Sequence, residues 1–407
     1  MNLDRKLLDG LSNVYGNSFY ILDSESFKHN CQDLMSAFKV YYQNFNIAYS
    51  YKTNYIPALV KIVDSLGGYA EIVSEMEMEV ALRSGVHPSR IIWNGPIKNE
   101  LKVKKLLLAG GMVNIDSVYE IENIRQIAVT HPNHILHVGV RCNYDVGDEV
   151  LARFGFDVDG EDFHKVITFI KDTPNLNLVS LQAHFAKRNP VYWAARAKGM
   201  LEIYDRVVSE YGLKPERLDI GGGIYGKMPV SLCNQLGIEM TCYDDYASRA
   251  ATLFADHFKE QENPPALFIE PGSAVAGDSM KFVTRIKTIK KVRGKSIATT
   301  LGSQKNISMA ELNPPMEIVS GGSEQQEYVD LDIAGFTCIE SDFLCKGYTG
   351  KLGIGDYVII SNCGSYSVVM KPPFILPNFP VLDVCNGETK LIKRQEYFDD
   401  LFHTFCF

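Results

Sequence analysis

The chain has 407 residues, of which 46% are hydrophobic and 22% charged, a composition typical of a soluble globular enzyme. This length predicts two domains, or a large barrel with a smaller unit. The formal net charge of −8 argues against a general attraction to nucleic acid. The N-terminus MNLDRKLLDG lacks the apolar core of a signal peptide, and no 18-residue apolar run predicts a membrane span.

The cysteines bear on the compartment. There are nine, an odd number, and they form neither a CxxC pair nor a Cys/His spacing typical of metal ligands. We therefore expect reduced thiols in a cytoplasmic protein and no metal site.

Eight short apolar runs alternate with longer helical stretches between about residues 45 and 270. They are NIAYSYK (46–52), GYAEIVS (68–74), RIIWNG (90–95), GMVNIDS (111–117), ILHVGVR (135–141), NLVSLQAHF (177–185), RLDIGGG (217–223) and ALFIEPG (266–272). Each is bounded by polar or turn residues, as buried strands are, and segments such as 74–85 and 191–212 have helical periodicity. This repeat predicts an α/β fold, a (β/α)8 TIM-like barrel, with a doubly wound open sheet as the alternative.

The pattern becomes β-rich after Asp278. Strand-like runs follow at 281–292, 295–301, 328–335, 356–362 and 365–370, separated by turn residues. We expect a C-terminal all-β domain over 278–407, a barrel over 31–277, and an N-terminal segment, 1–30, whose strand SFYILD (18–23) contributes to the β domain.

Polar side chains lie at or near the ends of several predicted barrel strands: Lys52, Glu71, Arg141, His184 and Glu270. The carboxyl ends of barrel strands form the rim on which active sites are built. Several such residues aimed at one mouth predict a site there.

Each of these residues also has a structural interpretation. Lys52 fits a solvated strand end or an amine that captures a carbonyl group. Glu270, which begins EPG, fits a turn acid or a carboxylate paired with a cofactor's pyridinium nitrogen. His184 fits a buried core histidine equally well.

The segment DIGGGIYG (219–226) follows the seventh predicted strand. Consecutive glycines allow backbone N–H groups to surround an anion, and this end of a barrel often binds phosphate. A simple tight turn is the alternative. Neither the dinucleotide-binding nor the P-loop pattern is present.

Two features stand out in the predicted β domain. GFTCIESD (335–342) places Cys338 beside Glu340 and Asp342, and SNCGSYS (361–367) places Tyr366 after a glycine turn. A buried structural cysteine and a core tyrosine are the alternatives.

In order, these motifs resemble the fold-type III pyridoxal phosphate (PLP) decarboxylases, the group of ornithine/arginine and diaminopimelate decarboxylases. The resemblance extends from about residue 18 to 385. It rests on YSYKTN, AEIVSEME, RCN, RFGF, QAHF, DIGGGIYG, IEPG, GFTC and GSYS.

The resemblance implies the cofactor contacts. PLP would form a Schiff base with Lys52, His184 would stack on its ring, and Glu270 would hold the pyridinium proton. The remaining cofactor-binding residues implied are Gly221, Gly222 and Gly223 around the phosphate, with Tyr366, Gly272 and Arg141.

The resemblance also implies a homodimer with shared active sites. Cys338 would reach its site from the partner subunit and protonate the intermediate. We place Glu340, Asp342 and Arg188 on the side of the substrate, an amino acid.

Three positions depart from the family. Ser273 replaces the usual phosphate-binding arginine after EPG, AKRNP (186–190) replaces a small Gly-Ser element, and Ile339 stands where an acid is frequent. We hypothesise that Arg188 or Lys187 replaces the missing phosphate contact; the alternatives are solvent and the substrate's carboxylate.

The resemblance implies decarboxylation of an amino acid at Cα to give an amine. A PLP-dependent racemase or epimerase is the alternative, although racemases use a tyrosine where GFTC supplies a cysteine. A non-catalytic PLP carrier is a third hypothesis, which the long β-rich region disfavours.

Overall fold

The computed structural model describes residues 3–307 and 313–406. The chain divides into two compact units. The barrel unit contains Lys28–Gly226 and Thr241–Val275, and the β unit contains Met1–Phe27, Lys227–Met240 and Ala276–Phe407. The domain borders expected from the sequence, at 30 and 277, stay a prediction.

Strands alternate with helices through most of residues 3–276, and strands predominate from Met280 onward. The strands are β1 (Phe19–Leu22), β2 (Phe45–Ser50), β3 (Tyr69–Ile72), β4 (Ile91–Trp93), β5 (Met112–Ile115), β6 (Leu136–Asn143), β7 (Phe156–Asp157), β8 (Leu176–Gln182), β9 (Arg217–Asp219), β10 (Ala266–Ile269), β11 (Met280–Val292), β12 (Lys295–Thr300), β13 (Met316–Val319), β14 (Gln326–Ala334), β15 (Phe343–Leu352), β16 (Tyr357–Ile360), β17 (Val381–Cys385) and β18 (Glu388–Lys393). The helices are α1 (Arg5–Tyr15), α2 (Ser24–Tyr41), α3 (Pro57–Ser65), α4 (Glu75–Arg83), α5 (Glu100–Leu108), α6 (Ile121–Thr130), α7 (Glu161–Asp172), α8 (Trp193–Arg206), α9 (Val230–Leu236), α10 (Tyr243–Phe258), α11 (Ser273–Ala276) and α12 (Phe398–Phe402).

Eight parallel strands close into a barrel in the barrel unit. Their order is β5, β4, β3, β2, β10, β9, β8 and β6, and the pairing of β6 with β5 completes the ring. Closure confirms the predicted (β/α)8 barrel and excludes the open sheet. Each of the eight predicted runs overlaps a barrel strand, because each run is buried and apolar.

The interior of the barrel is filled by side chains. Five of the eight strands contribute to one buried cluster, formed by Ala48, Ile92, Met112, Val179 and Phe268. Helices cover the outside with amphipathic faces, as in α7, where Phe163, Val166, Ile167 and Ile170 are buried. A packed interior leaves the polar strand ends as the place for a site.

The β unit is built on a nine-stranded sheet. Its main path runs β15, β14, β12, β11, β1, β17 and β18, while β16 pairs with β11 and β13 pairs with β16. Strand β1, in the segment SFYILD, lies between β11 and β17 of this sheet. Helix α1 packs Leu8 and Leu11 against Phe19 and Ile21.

One predicted strand of the β unit is wrong. Residues 365–370 form turns instead, because Tyr366 has a positive φ of 62° and Met370 N donates to Tyr366 O. Strands β13, β15, β17 and β18 were not predicted from the sequence. In residues 3–307 and 313–406, no helix has the length and apolar content needed to cross a bilayer.

Candidate active site

The polar residues predicted at the barrel rim do come together. Lys52 lies two residues beyond β2, Glu71 lies in β3, and Glu270 directly follows β10. Strands β3 and β10 are the two neighbours of β2 in the ring. Parallel strands bring their carboxyl ends to one mouth, and a chain of hydrogen bonds links these side chains there.

Lys52 is held by a buried carboxylate. Its Nζ donates to Glu71 Oε2 at 2.7 Å. The Lys52 side chain keeps 34% of its surface exposed, whereas Glu71 keeps only 1%. The backbone of the turn is fixed as well, since Tyr51 N donates to Glu71 O and Ser50 N to Pro271 O. The amine is therefore accessible but restricted in position.

Glu270 is a buried acceptor of several hydrogen bonds. Its Oε1 accepts from Asn94 Nδ2 at 2.6 Å and from Gln182 Nε2 at 3.0 Å. Burial opposes ionisation, but the contact with His184 and the charge of Lys52 outweigh it and hold the pKa of Glu270 below its usual value. Glu270 is thus a fixed anion at neutral pH.

The pKa of the neighbouring acid Asp219 is shifted in the opposite direction. Burial, and then the charge of Glu270, raise the pKa of Asp219 well above its usual value. Asp219 Oδ1 accepts from Gly221 N at 2.9 Å. Of these two buried acids, Glu270 is therefore the more readily ionised.

His184 lies between Glu270 and the glycine segment. Its Nδ1 is 3.2 Å from Glu270 Oε2 and 3.1 Å from Gly222 N. Burial lowers the pKa of His184, so the ring is neutral at pH 7. A neutral Nδ1 cannot accept from the amide and donate to the carboxylate at once, so the tautomer decides which contact is a hydrogen bond.

Three amide side chains in the barrel connect the acids, and the residue-by-residue sequence reasoning missed them. Asn94 Nδ2 donates to Glu71 Oε1 at 3.1 Å as well as to Glu270, and Asn94 Oδ1 accepts from Asn114 Nδ2 at 2.7 Å. Gln182 completes the set. Asn94 stands near the end of the predicted run 90–95, as Lys52 and Glu270 do in theirs, and that position was the available signal.

The three glycines after β9 approach the backbone closely. A methyl group on Gly221, where φ is +76°, would lie 2.4 Å from Ala183 O, and one on Gly222 would lie 2.3 Å from Glu270 O. The amide of Gly221 already donates to Asp219, and the amide of Gly222 lies 3.1 Å from His184 Nδ1. Within the described part of the chain, the amides of Gly223 and Ile224 have no acceptor.

The IEPG segment also requires its glycine. A methyl group on Gly272 would lie 2.1 Å from Thr53 Oγ1, in the turn next to Lys52. Ser273 begins the short helix α11. These contacts hold the Glu270 loop against the Lys52 loop.

Arg141 is buried at the end of β6. Its Nη1 is 3.4 Å from Asp116 Oδ1, and its guanidinium carbon is 4.6 Å from the centre of the Phe154 ring. The backbone of Asp116 is held in turn, because its N–H donates to Glu120 Oε1 at 2.6 Å. Lys98 Nζ donates to Glu120 Oε2 at 2.7 Å; burial lowers the pKa of Lys98, and Glu120 opposes that shift.

The basic residues after His184 differ in environment. Lys187 is exposed and Arg188 is half-buried, with its guanidinium carbon 6.0 Å from the Tyr225 ring. A methyl group on Gly223 would lie 3.7 Å from Arg188 Cγ, so Arg188 borders the glycine segment. Its role at the phosphate or the substrate stays a prediction.

In the β unit, Cys338 and Glu340 are exposed, and the Cys338 thiol is free. Asp342 is buried and accepts from Ser303 Oγ at 3.0 Å, Gln304 N at 2.8 Å and Thr337 Oγ1 at 2.6 Å. Asp342 therefore stabilises the turn that carries Cys338. Substrate contacts by Glu340 and Asp342 stay predictions.

Tyr366 is half-buried in the β unit with φ of 62°, a left-handed conformation that is unusual for a tyrosine. The neighbouring Ser365 Oγ is buried without a hydrogen-bond partner among the described residues. Strain of this kind is common at functional positions, which agrees with the predicted phosphate contact without testing it.

Comparisons with known proteins give the family. Residues 25–277 match the model described as the pyridoxal-dependent decarboxylase, pyridoxal binding domain. The chain is 25% identical to the diaminopimelate decarboxylase of Methanothermobacter thermautotrophicus, over 96% of this chain and 92% of that one. It is 29% identical to a probable chloroplastic diaminopimelate decarboxylase of Oryza sativa subsp. japonica, over 87% and 73% respectively.

Solved structures share the fold. Diaminopimelate decarboxylase from M. jannaschii in complex with L-lysine has a TM-score of 0.84 and 21% identity, over 98% of this chain and 94% of that one. The arginine decarboxylase of Paramecium bursaria Chlorella virus has a TM-score of 0.72 and 21% identity, over 91% and 97%.

The family model favours decarboxylation over the racemase alternative and over a non-catalytic carrier. It matches most of the chain, and its relatives cover nearly all of it. The chain therefore belongs to the pyridoxal-dependent decarboxylases, enzymes that use pyridoxal phosphate to remove a carboxyl group from an amino acid.

Proposed function

We propose that Lys52, Glu270 and His184 form the centre at which pyridoxal phosphate is held while an amino acid loses its α-carboxylate. The observation that carries the proposal is the buried, ionised Glu270, fixed by Asn94 and Gln182 at the same mouth as Lys52. A fixed anion and a nearby amine are the two groups that the cofactor's ring nitrogen and aldehyde require.

The site also fits the cofactor's phosphate, its third recognisable group after the ring nitrogen and the aldehyde. A phosphate needs several strong donors where water is largely excluded, and the amides of Gly223 and Ile224 have no acceptor in the described residues. We assign the phosphate to this segment, with Tyr366 and Gly272 as further contacts. The amides of Gly221 and Gly222 have structural partners and serve to shape the loop.

Each side chain has a task that follows from its contacts. When bound, pyridoxal phosphate supplies the electron sink for loss of CO2 from Cα. Glu270 would keep a proton on the ring nitrogen, and the donors on its Oε1 hold the carboxylate in place. His184 would lie against the ring, while Glu71 Oε2 restricts the Lys52 amine. Arg141 adds a buried positive charge.

The return of the proton to Cα is assigned to the Cys338 thiol. Cys338 is exposed, and Asp342 fixes the turn that carries it. The thiol is therefore held in a defined position from which it would enter the site of a partner subunit. We therefore propose a homodimer in which each site takes Cys338 from the other chain. The exposed Glu340 and the half-buried Arg188 are the proposed contacts to the substrate.

Mixing two damaged variants tests the shared site. Lys52→Ala and Cys338→Ala together should recover activity, because each mixed dimer would contain one intact site. Random exchange makes half of the dimers mixed, so about a quarter of the wild-type activity is expected.

The matched control mixes Lys52→Ala with Glu270→Gln, which lie in the same unit of one chain and cannot complement each other. No recovery in the first mixture, with subunit exchange confirmed by differently tagged chains, would count against the shared site.

The substrate class is tested by CO2 release from a panel of amino acids. Diaminopimelate comes first, because relatives named for it align with 96% of this chain. Other diamino, dicarboxylic and modified amino acids follow, since Ile339 departs from the family pattern. Release of CO2 with formation of the amine supports decarboxylation; loss of optical rotation without CO2 release would instead show racemisation.

We also propose a cytoplasmic location. All nine cysteines are free in the structure, and only Cys242, Cys338 and Cys406 among them are exposed. Free thiols fit a reducing compartment. Fractionation of the native cells with an antibody against the chain would test it.

A further inference from the structure

A buried arginine lies behind the glycine segment. Arg196, in the first turns of α8, is 0% exposed. Its Nη1 donates to Gly222 O at 2.7 Å and its Nη2 donates to Lys187 O. The guanidinium also lies 5.0 Å from the Phe185 ring centre and 4.9 Å from that of Trp193.

Arg196 forms no ion pair with a carboxylate in the described part of the chain, and the buried Asp148 acts on it only through its charge, without a hydrogen bond. None of the ion pairs there involves it, and its Nε is buried without an acceptor. Burial lowers the pKa of Arg196 to about 10, which leaves it protonated at neutral pH. A buried charge without a hydrogen-bonded carboxylate is incompletely compensated, so a further anion close by would stabilise Arg196.

The geometry indicates where that anion belongs. Arg196 donates to the carbonyl of the Gly222–Gly223 peptide, and the N–H of the same peptide has no acceptor among the described residues. A cation on the carbonyl polarises the peptide and strengthens the N–H as a donor. A methyl group on Gly223 would lie 3.6 Å from Arg196 Nη2, so the charge directly underlies the loop.

We propose that Arg196 is the cation that supports the cofactor's phosphate, acting through the Gly222–Gly223 peptide in place of the arginine that is missing at Ser273. The inference rests on the proposed assignment of the phosphate to the glycine segment. Arg196 is a positioning residue here, because a peptide group separates it from the phosphate.

This assignment differs from the hypothesis that Arg188 or Lys187 replaces the missing contact. Lys187 is exposed and Arg188 is half-buried, so water weakens both charges, whereas that of Arg196 is fully buried. Arg196 also fixes the Lys187 carbonyl and with it the segment that carries Arg188. Arg188 is then left available for the substrate.

The test measures the ionisation of the bound phosphate by phosphorus NMR in the holoenzyme. A phosphate monoester loses its second proton near about pH 6 in water. In the wild type we expect the bound phosphate to remain a dianion well below that pH. Arg196→Gln should move its titration back toward the value in water and weaken binding of pyridoxal phosphate by about tenfold or more.

Two comparisons separate the loss of the Arg196 charge from a general loss of folding. Affinity for pyridoxal, which lacks the phosphate, should not change in Arg196→Gln, and Arg196→Lys should restore part of the shift. Arg206→Gln is the matched control, because Arg206 ends the same helix and also donates to a carbonyl, that of Val158. Arg188→Ala should leave the phosphate titration unchanged; a shift there instead of in Arg196→Gln would overturn the inference.

A further variant distinguishes the proposed role of Arg196 from the assignment of the phosphate to the glycine segment. Gly223→Ala strains a backbone with φ of +88° and should weaken phosphate binding if the loop holds it. An effect in Gly223→Ala without one in Arg196→Gln would overturn the role of Arg196 alone, and no effect in either would overturn both. If Arg196→Gln does not fold, a wild-type phosphate that titrates as in water overturns the inference.

Discussion

Lys52→Ala is expected to abolish covalent attachment of pyridoxal phosphate and to reduce the decarboxylation rate by at least about 10³-fold. The amine is the group that captures the cofactor's aldehyde, and proton transfers by a positioned group are worth roughly 10²–10⁴-fold in rate. The measurement is the visible absorption of the protein after incubation with the cofactor and desalting, together with CO2 release.

The control for this variant is Lys61→Ala, which removes an exposed lysine on α3 of the same unit. It should retain the absorption band and the activity. If the Lys52→Ala protein keeps a band of equal intensity that borohydride fixes onto another lysine, the assignment of Lys52 is wrong.

Glu270→Gln is expected to slow decarboxylation by about 10²-fold or more while the cofactor remains attached to Lys52. The amide cannot keep a proton on the ring nitrogen, so the electron sink is weakened. The amide oxygen of the glutamine keeps both contacts that Oε1 accepts from Asn94 and Gln182, and its nitrogen takes the place of Oε2 beside His184 Nδ1, so the side chain stays in position. The rate is measured per bound cofactor.

Glu262→Gln is the matched control, since Glu262 is an exposed acid in the loop before β10. Its rate should equal that of the wild type. An unchanged rate in Glu270→Gln at full cofactor occupancy would show that this carboxylate does not act on the ring nitrogen.

The barrel could be predicted because its signal is local. Each strand is a short apolar run, and buried parallel strands leave that mark in the sequence. Lys52 and Glu270 could be found in the same way, since each stands near the end of such a run. The links between them could not, because Asn94 meets Glu71 and Glu270 only after the ring has closed.

Arg196 had a signal that the sequence reasoning did not use. It lies three residues after Trp193 and four before Met200, two buried residues on the inner face of α8. A charged residue at a buried helical position is rare without a partner, and only the structure shows that its contacts are the carbonyls of Gly222 and Lys187.

The β unit was harder to predict. Strand β15 contains two glycines and exposes about half of its residues, so it lacks the apolar run that marks a barrel strand. The segment 365–370 was wrongly predicted as a strand. Its composition favours a strand, but the backbone at Tyr366 takes a positive φ and turns the chain.

A single amide group, that of Asn94, donates to both carboxylates of the site, one at the Lys52 amine and the other in the position assigned to the ring nitrogen. The two ends of the reaction centre therefore share one structural support. For protein engineering, this means that they cannot be redesigned one at a time. In a variant selected for a new substrate, changes around Glu71 would shift Asn94 and so alter the hydrogen bond that Asn94 donates to Glu270. Compensating changes would then be needed at Asn94 or Asn114.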